Sequence, residues 1–131
     1  MKHPLGVFAK YWEPGRVKTR LAETIGGEKA ALVYRAFVTT TLARLTTLNQ
    51  HNVLAFAPDD DFSKEQFSVV GGEAWELLPQ AEGDLGMRMK AFFEDQLSIR
   101  ARSTVLLGSD SPNVPLEYLK RAFQELEKCD V

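Results

Sequence analysis

Three cationic side chains stand on alternate residues near the start of the chain, at Arg16, Lys18 and Arg20. In an extended segment alternate side chains share one face, and Gly15 just before them lets the backbone turn and approach a ligand. Arginine offers phosphate oxygens a bidentate fork, and lysine offers a point charge. The pattern is therefore typical of a diphosphate-binding loop. The alternative is a solvated loop in which the cations pair with nearby glutamates.

A second candidate is Asp110, which follows the apolar run "STVLLG" in the segment "GSDSPN". A carboxylate just beyond a buried strand, opposite a cationic loop, is well placed to hold Mg²⁺ or Mn²⁺. Such an ion would bridge a diphosphate and neutralise the charge that builds on it as a leaving group. The alternative is that Asp110 satisfies turn N–H groups ahead of Pro112.

The segment "QAEGDLGMRM" is the third candidate, because it combines two glycines with polar residues at a predicted helix start. Asp84 is expected to cap that helix. Gln80 and the N–H groups around Gly83 could instead read a nucleobase edge, while helix-start amides could face a phosphate. Arg88 could face the same crevice or solvent. The candidates for this base- or sugar-side loop are Gln80, Gly83, Asp84, Leu85, Gly86 and Arg88.

Apolar runs and helical stripes indicate the elements that must position these candidates. Short apolar runs predict strands at residues 5–9, 52–58 and 103–108, with further short strands within 68–80. Stripes at steps of three and four predict helices at 28–48 and 84–97, and a third that starts at Pro115. Residues 59–67 are expected to form a polar loop or a short helical turn. This order predicts one α/β domain, 1–131, with a mainly parallel sheet covered on both faces and ligands at the carboxyl ends of its strands.

The composition restricts the kind of partner and the compartment. The chain has 131 residues and a formal net charge of −2, which indicates no general nucleic-acid or membrane-surface role. Its one cysteine, Cys129, excludes an internal disulfide and favours a cytoplasmic protein. No apolar window approaches the length of a membrane span, and residues 1–8 do not resemble a signal peptide.

Three segments in order, "FAKYWEPGRVKTRLA", "PQAEGDLGMRM" and "VLLGSDSPNVP", resemble the small bacterial glycosyltransferases of the GT-A type. That family was once catalogued only as a domain of unknown function, and it includes proteins assigned to arsenosugar biosynthesis. The chain is more distantly similar to 2-phospho-lactate guanylyltransferase and the molybdenum-cofactor nucleotidyltransferases, which share the nucleotide-diphospho-sugar transferase fold. The resemblance covers nearly the whole chain and implies a three-layer, Rossmann-like α/β fold.

The resemblance also implies roles for the candidate residues. By position, Arg16, Lys18 and Arg20 would sit at the nucleotide diphosphate. Residues 83–86 would form the base- or sugar-side loop, and Asp110 would bind the divalent metal. The substrate would be a nucleotide-diphospho-sugar, whose sugar passes to an acceptor that the sequence does not identify, and no general base is identified either. The alternatives are a nucleotidyltransferase that uses a nucleoside triphosphate, and a non-catalytic nucleotide-binding or oligomerising fragment.

The sequence departs from the family pattern at several places. Met87 replaces a glutamate, and Ser111 and Asn113 replace the cysteine and aspartate of "GSDCPD". Asn113 leaves Asp110 with less local negative charge for a metal. Family members continue beyond Val131, so we expect the C-terminal part to be missing and the chain to be a truncated form that could be inactive. The resulting unpaired sheet edge favours a homodimer.

Overall fold

Strands and helices alternate along most of the chain in the computed structural model, which describes residues 2–99 and 103–131. Within these ranges the strands are β1 (Pro4–Lys10), β2 (His51–Ala57), β3 (Glu76–Pro79) and β4 (Val105–Gly108). The helices are α1 (Thr19–Ile25), α2 (Gly27–Thr46), α3 (Asp61–Gly71), α4 (Leu85–Ile99) and α5 (Leu116–Leu126), with a 3₁₀ turn at Gly72–Ala74.

The four strands pair in parallel, in the order β3-β2-β1-β4. Val7 of β1 lies opposite Leu54 of β2 on one side and Leu107 of β4 on the other. The chain runs from β1 outwards to β2 and β3, and then returns to place β4 on the far side of β1. The carboxyl ends of β1 and β4 therefore meet where the strand order reverses, which is where open α/β sheets form a crevice for ligands.

Helices cover both faces of the sheet, as the sequence predicts. On one face, α2, α3 and α5 pack on side chains that include Leu5 and Phe56, in the larger hydrophobic core. On the other face, Phe92 of α4 packs on Val53. A Cβ atom built on Gly6 of β1 would lie 2.3 Å from the Cζ atom of Phe92. Glycine at this position therefore allows α4 to sit close to the central strand.

Most of the predicted strands and helices are present in the structure, and the segment around residues 59–71 is not as predicted. The strands predicted at 5–9, 52–58 and 103–108 and the helices at 28–48 and 84–97 are confirmed, with ends that differ by a few residues. The loop or short turn predicted for 59–67 is wrong, because α3 occupies 61–71 and also takes in the first of the expected short strands. Asp60 begins this helix by accepting a hydrogen bond from the Ser63 N–H (2.7 Å), and Phe67 is fully buried. Helix α1 was not predicted.

Strands β3 and β4 form the two edges of the sheet within the described residues. The homodimer expected through an unpaired edge stays a prediction. Among the helices that the structure describes, none is long and apolar enough to cross a membrane.

Candidate functional site

A cleft of about 690 Å³ opens at the carboxyl ends of β1 and β4. Its lining comes from the end of β1 (8–10), the loop and first turn of α1 (16–21), Tyr34 and Phe37 of α2, Gln80, Leu85, and the end of β4 (108–110). The cleft therefore lies where the strand order predicts a ligand site.

One wall of the cleft carries the three cations that the sequence indicates, Arg16, Lys18 and Arg20. They do not reach it as an extended segment, because α1 begins at Thr19 and Arg20 lies in its first turn. Val17, which is 5% exposed, anchors the loop in the larger core. Lys18 has a left-handed backbone, with φ 50° and ψ 48°. Such strain in a residue with a side chain is found most often at functional sites.

Gly15 shapes this loop without being one of the residues that line the cleft. Its φ of +82° lies in the region that favours glycine. The loop also passes close to the start of α2, since a Cβ atom built on Gly27 would lie 3.1 Å from the Gly15 nitrogen. The structure thus gives Gly15 a conformational role behind the cationic wall.

An ion pair spans the cleft between Lys18 and Asp110, with Nζ 2.9 Å from Oδ1. The Lys18 ammonium also lies over the Phe37 ring, 4.9 Å from its centroid, in a cation–π contact. The Lys18 side chain is 24% exposed and that of Asp110 is 70% exposed. The lysine is therefore held in place by several contacts, whereas most of the carboxylate stays open to solvent.

The hydroxyl of Tyr34, on α2, joins the ends of β1 and β4 beneath the cleft. It accepts a hydrogen bond from the Lys10 N–H (3.0 Å) and lies 2.7 Å from the Ser109 Oγ. Burial raises the pKa of Tyr34 above its usual value of 10.0, although both hydrogen bonds act to lower it. The hydroxyl is therefore protonated at neutral pH. The sequence places Tyr34 on the buried stripe of α2, but it carries no signal that the hydroxyl reaches two strand ends.

Gln80 lies on the α4 side of the cleft, and its side-chain amide is hydrogen-bonded to the protein itself. Its Nε2 donates to the carbonyl oxygens of Ala9 (3.2 Å) and Ala55 (3.0 Å). Its Oε1 accepts from an Arg88 Nη1 (3.1 Å). Both N–H groups of Nε2 and one lone pair of Oε1 are therefore used within the protein. Only the second lone pair of Oε1 could accept a hydrogen bond from a nucleobase.

The segment that begins α4 is also satisfied internally. Asp84 caps the helix, as predicted, because its Oδ1 accepts from the Met87 N–H (2.8 Å). The Arg88 Nε donates to the Gly83 carbonyl oxygen (2.8 Å). Leu85 lines the cleft and is 65% exposed. The members of the predicted loop that lie outside the cleft lining are Gly83, Asp84, Gly86 and Arg88.

Asp110 is the one acidic side chain among the described residues that line the cleft. Within residues 2–99 and 103–131, no three or more His, Cys, Asp or Glu side chains form a group that could hold a metal ion. Mg²⁺ and Mn²⁺ nevertheless bind with one or two carboxylates where phosphate oxygens and water complete the shell. The donor set therefore fits a metal that binds together with a diphosphate, and does not fit one held by protein ligands alone.

Comparison with known proteins identifies the family. Residues 41–131, more than half of the chain, match the family described as "Uncharacterized protein conserved in bacteria (DUF2064)". The chain belongs to this family. The matched range contains the Gln80 to Arg88 segment and Asp110, while the cationic loop precedes it. No curated protein matches the sequence.

A solved structure from Desulfovibrio desulfuricans G20, provisionally described as a nucleotide-diphospho-sugar transferase, has the same fold. Its similarity covers 98% of this chain with a TM-score of 0.91, and the two sequences are 36% identical. The chain spans 56% of that protein's length. The predicted nucleotide-diphospho-sugar transferase superfamily and its α/β fold are thereby confirmed for this member of the DUF2064 family.

Proposed function

We propose that the cleft binds a nucleotide-diphospho-sugar and that the protein transfers the sugar to an acceptor. The observation that carries this proposal is the cationic wall of Arg16, Lys18 and Arg20 at the carboxyl edge of a transferase-like sheet. The chain as a whole has a net charge of −2, so this positive charge is a local feature. A diphosphate supplies the complementary charge and a geometry that two arginine forks can match.

The cationic wall would act on the leaving group. As the bond between the sugar and the diphosphate breaks, negative charge builds on the nucleoside diphosphate. Guanidinium and ammonium groups fixed in a cleft stabilise such charge without having to reorganise during the reaction. Lys18 suits this task because its contacts with Asp110 and Phe37 hold the ammonium in place.

Asp110 is the residue that would hold Mg²⁺ or Mn²⁺ at the diphosphate. Such an ion would supply a Lewis acid that stabilises the charge on the departing nucleoside diphosphate. Tyr34 supports this arrangement, since its contact with Ser109 fixes the residue next to Asp110 at the end of β4. We therefore assign Tyr34 a positioning role and Asp110 a binding role.

The cleft also has an apolar side, to which we assign the base or the sugar. Leu85 begins α4 there, and Phe8 of β1 contacts Phe92 of the same helix. Apolar and aromatic side chains favour the flat face of a ring over a phosphate group.

We place the reaction in the cytoplasm, because the exposed thiol of Cys129 suits a reducing compartment.

The first experiment is a thermal unfolding series with UDP, GDP, CDP, ADP, their sugar conjugates and the matching triphosphates, with and without Mn²⁺. A ligand at 100 times its dissociation constant adds about 2.7 kcal/mol, a shift of several degrees. Lys18→Met should reduce the shift. Lys90→Met should keep it, because Lys90 is exposed on α4 and pairs only weakly with Glu94. If no nucleotide changes the unfolding temperature, the proposed site is wrong.

The released product separates the proposed reaction from its alternatives. A glycosyltransferase releases a nucleoside diphosphate, whereas a nucleotidyltransferase that uses the same cations and the same carboxylate releases pyrophosphate. A non-catalytic domain would bind the nucleotide and release neither. Chromatography of the nucleotide that stabilises the protein most, after incubation with candidate acceptors, distinguishes the three.

A further inference from the structure

We propose that the ion pair between Lys18 and Asp110 makes the cleft selective for a diphosphate that arrives with a divalent cation, and against the bare diphosphate. The inference rests on the proposed function, since it concerns the same cleft and the same class of ligand. It assigns Asp110 a specificity-determining role in addition to that of a metal ligand.

The starting observation is that one cation of the wall already has a partner. The Lys18 Nζ lies 2.9 Å from the Asp110 Oδ1, and it also contacts the Phe37 ring. Of the three cations of the wall, Arg16 and Arg20 therefore have no ion-pair partner in the part of the chain that the structure describes, whereas Lys18 is neutralised by a carboxylate.

The ion pair between Lys18 and Asp110 makes the binding of a bare diphosphate less favourable. Phosphate oxygens that contact the Lys18 ammonium must compete with Asp110 for it or share it with that carboxylate. In either case the carboxylate lies beside a second group of negative charges, and like charges in contact disfavour the complex. Asp110 is the one acidic residue in the described lining, so this repulsion depends on a single side chain.

A divalent cation removes the penalty because it provides a new partner for Asp110. Asp110 would hold the cation, and Lys18 would then be free to bind phosphate. The cation alone is also disfavoured, since it must displace a lysine ammonium that stays close by. Each ligand thus binds better in the presence of the other, and the coupling factor must be the same in both directions.

The test is calorimetric titration of UDP and GDP into the wild-type protein and two variants, with Mn²⁺ and with EDTA. Asp110→Asn removes the carboxylate charge in the cleft. Glu94→Gln is the matched control, because it removes the same charge from a side chain that is 68% exposed, against 70% for Asp110, and does not line the cleft. The complex that Mn²⁺ forms with the free nucleotide is common to all three proteins, so differences between them belong to the protein.

We expect Asp110→Asn to bind the nucleotide about fivefold more tightly in EDTA, the effect of one exposed charge at contact distance. We expect the same variant to lose most of the gain that Mn²⁺ gives the wild type. Glu94→Gln should match the wild type in both conditions. A second measurement is independent of this variant: Lys18→Met should bind Mn²⁺ alone more tightly than the wild type does, because the competing ammonium is gone.

Failure of the inference and failure of the proposed function give different results. If the wild type binds UDP or GDP equally well in EDTA and in Mn²⁺, or if Asp110→Asn weakens binding in EDTA, the inference is overturned and the nucleotide site stands. If no nucleotide of the thermal unfolding series, UDP and GDP included, binds the wild type with Mn²⁺ or with EDTA, the proposed function is overturned, and the inference with it.

Discussion

The two sides of the cleft carry similar sequence signals and use them differently. On the α1 side, a glycine turn is followed by cations that line open space, and Lys18 alone of the three pairs with a carboxylate among the described residues. On the α4 side, glycines are again followed by polar residues. There, however, Gln80 and Arg88 bond to the backbone and to each other, and Asp84 caps a helix.

This difference distinguishes residues that could bind a ligand from residues that stabilise the fold around the ligand site. Charges of one sign held close together repel each other, so an array like that on the α1 side is favoured where a ligand of opposite charge binds. Polar groups that are satisfied within the protein lower the free energy of the fold whether or not a ligand is present. We therefore expect substitutions of the cations on the α1 side to change affinity, and substitutions of the internally bonded polar residues on the α4 side to change stability.

The largest effect is expected from removing the cationic wall. Combining Arg16→Ala, Lys18→Met and Arg20→Ala should raise the nucleotide dissociation constant about a hundredfold or more, since charge-assisted bonds to both phosphates are lost. The free energy of unfolding should change by less than about 1 kcal/mol, because Arg16 and Arg20 are exposed and the one ion pair lost, that of Lys18, is with a carboxylate that is mostly open to solvent. Calorimetric titration and urea denaturation measure the two quantities. The control neutralises three exposed cations elsewhere, Lys64, Lys90 and Lys120, and an equal loss of affinity there would contradict a specific site.

A smaller effect is expected from the tyrosine that joins the two strand ends. Tyr34→Phe keeps the ring and removes the hydroxyl, which leaves the Lys10 N–H and the Ser109 hydroxyl without this partner. The free energy of unfolding should fall by about 1 to 2 kcal/mol in denaturant titrations at neutral pH. An unchanged stability would show that water replaces the hydroxyl without cost.

The raised pKa of Tyr34 gives this effect a pH dependence of known sign. In the unfolded chain the residue loses its proton near its usual value of 10.0, whereas the buried hydroxyl keeps its proton to higher pH. Above pH 10 the unfolded state therefore binds fewer protons than the folded state, and stability falls as pH rises. The contribution of the Tyr34 hydroxyl to the free energy of unfolding is fully present below pH 10. The stability difference between the wild type and Tyr34→Phe should accordingly shrink when denaturation is repeated above pH 10.

The smallest effect is expected on the α4 side. Asp84→Ala removes the cap of α4 and should cost about 1 kcal/mol of stability. Asp84→Asn, which retains a capping oxygen, should cost less. Nucleotide affinity should stay within about twofold, because a lost cap leaves the cleft lining intact. A tenfold loss of affinity in both variants would instead support the ligand role that the family resemblance implies, and the contrast between the two sides would fail.

Elements with a clear hydrophobic pattern could be predicted from the sequence. The apolar runs of β1 and β2 and the stripe of α2 each report burial through spacing alone. Helix α3 was missed because its buried side chains are few, chiefly Ser63 and Phe67. Helix α1 was missed because none of its residues is buried and Lys18 before it supplies no capping side chain.

Within the site, residue type was predictable and geometry was not. A run of Arg, Lys and Arg after a glycine identifies a cationic loop whether it is extended or helical, so all three could be selected without knowing how they meet. The contact of Tyr34 with Ser109 joins residues 75 positions apart. The pair between Lys18 and Asp110 likewise depends on β4 lying beside β1, which local spacing does not encode.

The absence of a side chain at Gly6 has a consequence for the opposite end of α4. The helix has 15 residues and is therefore about 22 Å long, so that a shift at one point along it is passed to its ends. The ring of Phe92, in the middle of the helix, packs against Gly6 of β1. The first residue of the helix, Leu85, lines the cleft. A methyl group added at Gly6 would clash with the Phe92 ring, and an outward shift of α4 that relieved the clash would also move Leu85. The position of a residue that lines the cleft thus depends on a glycine that does not line it.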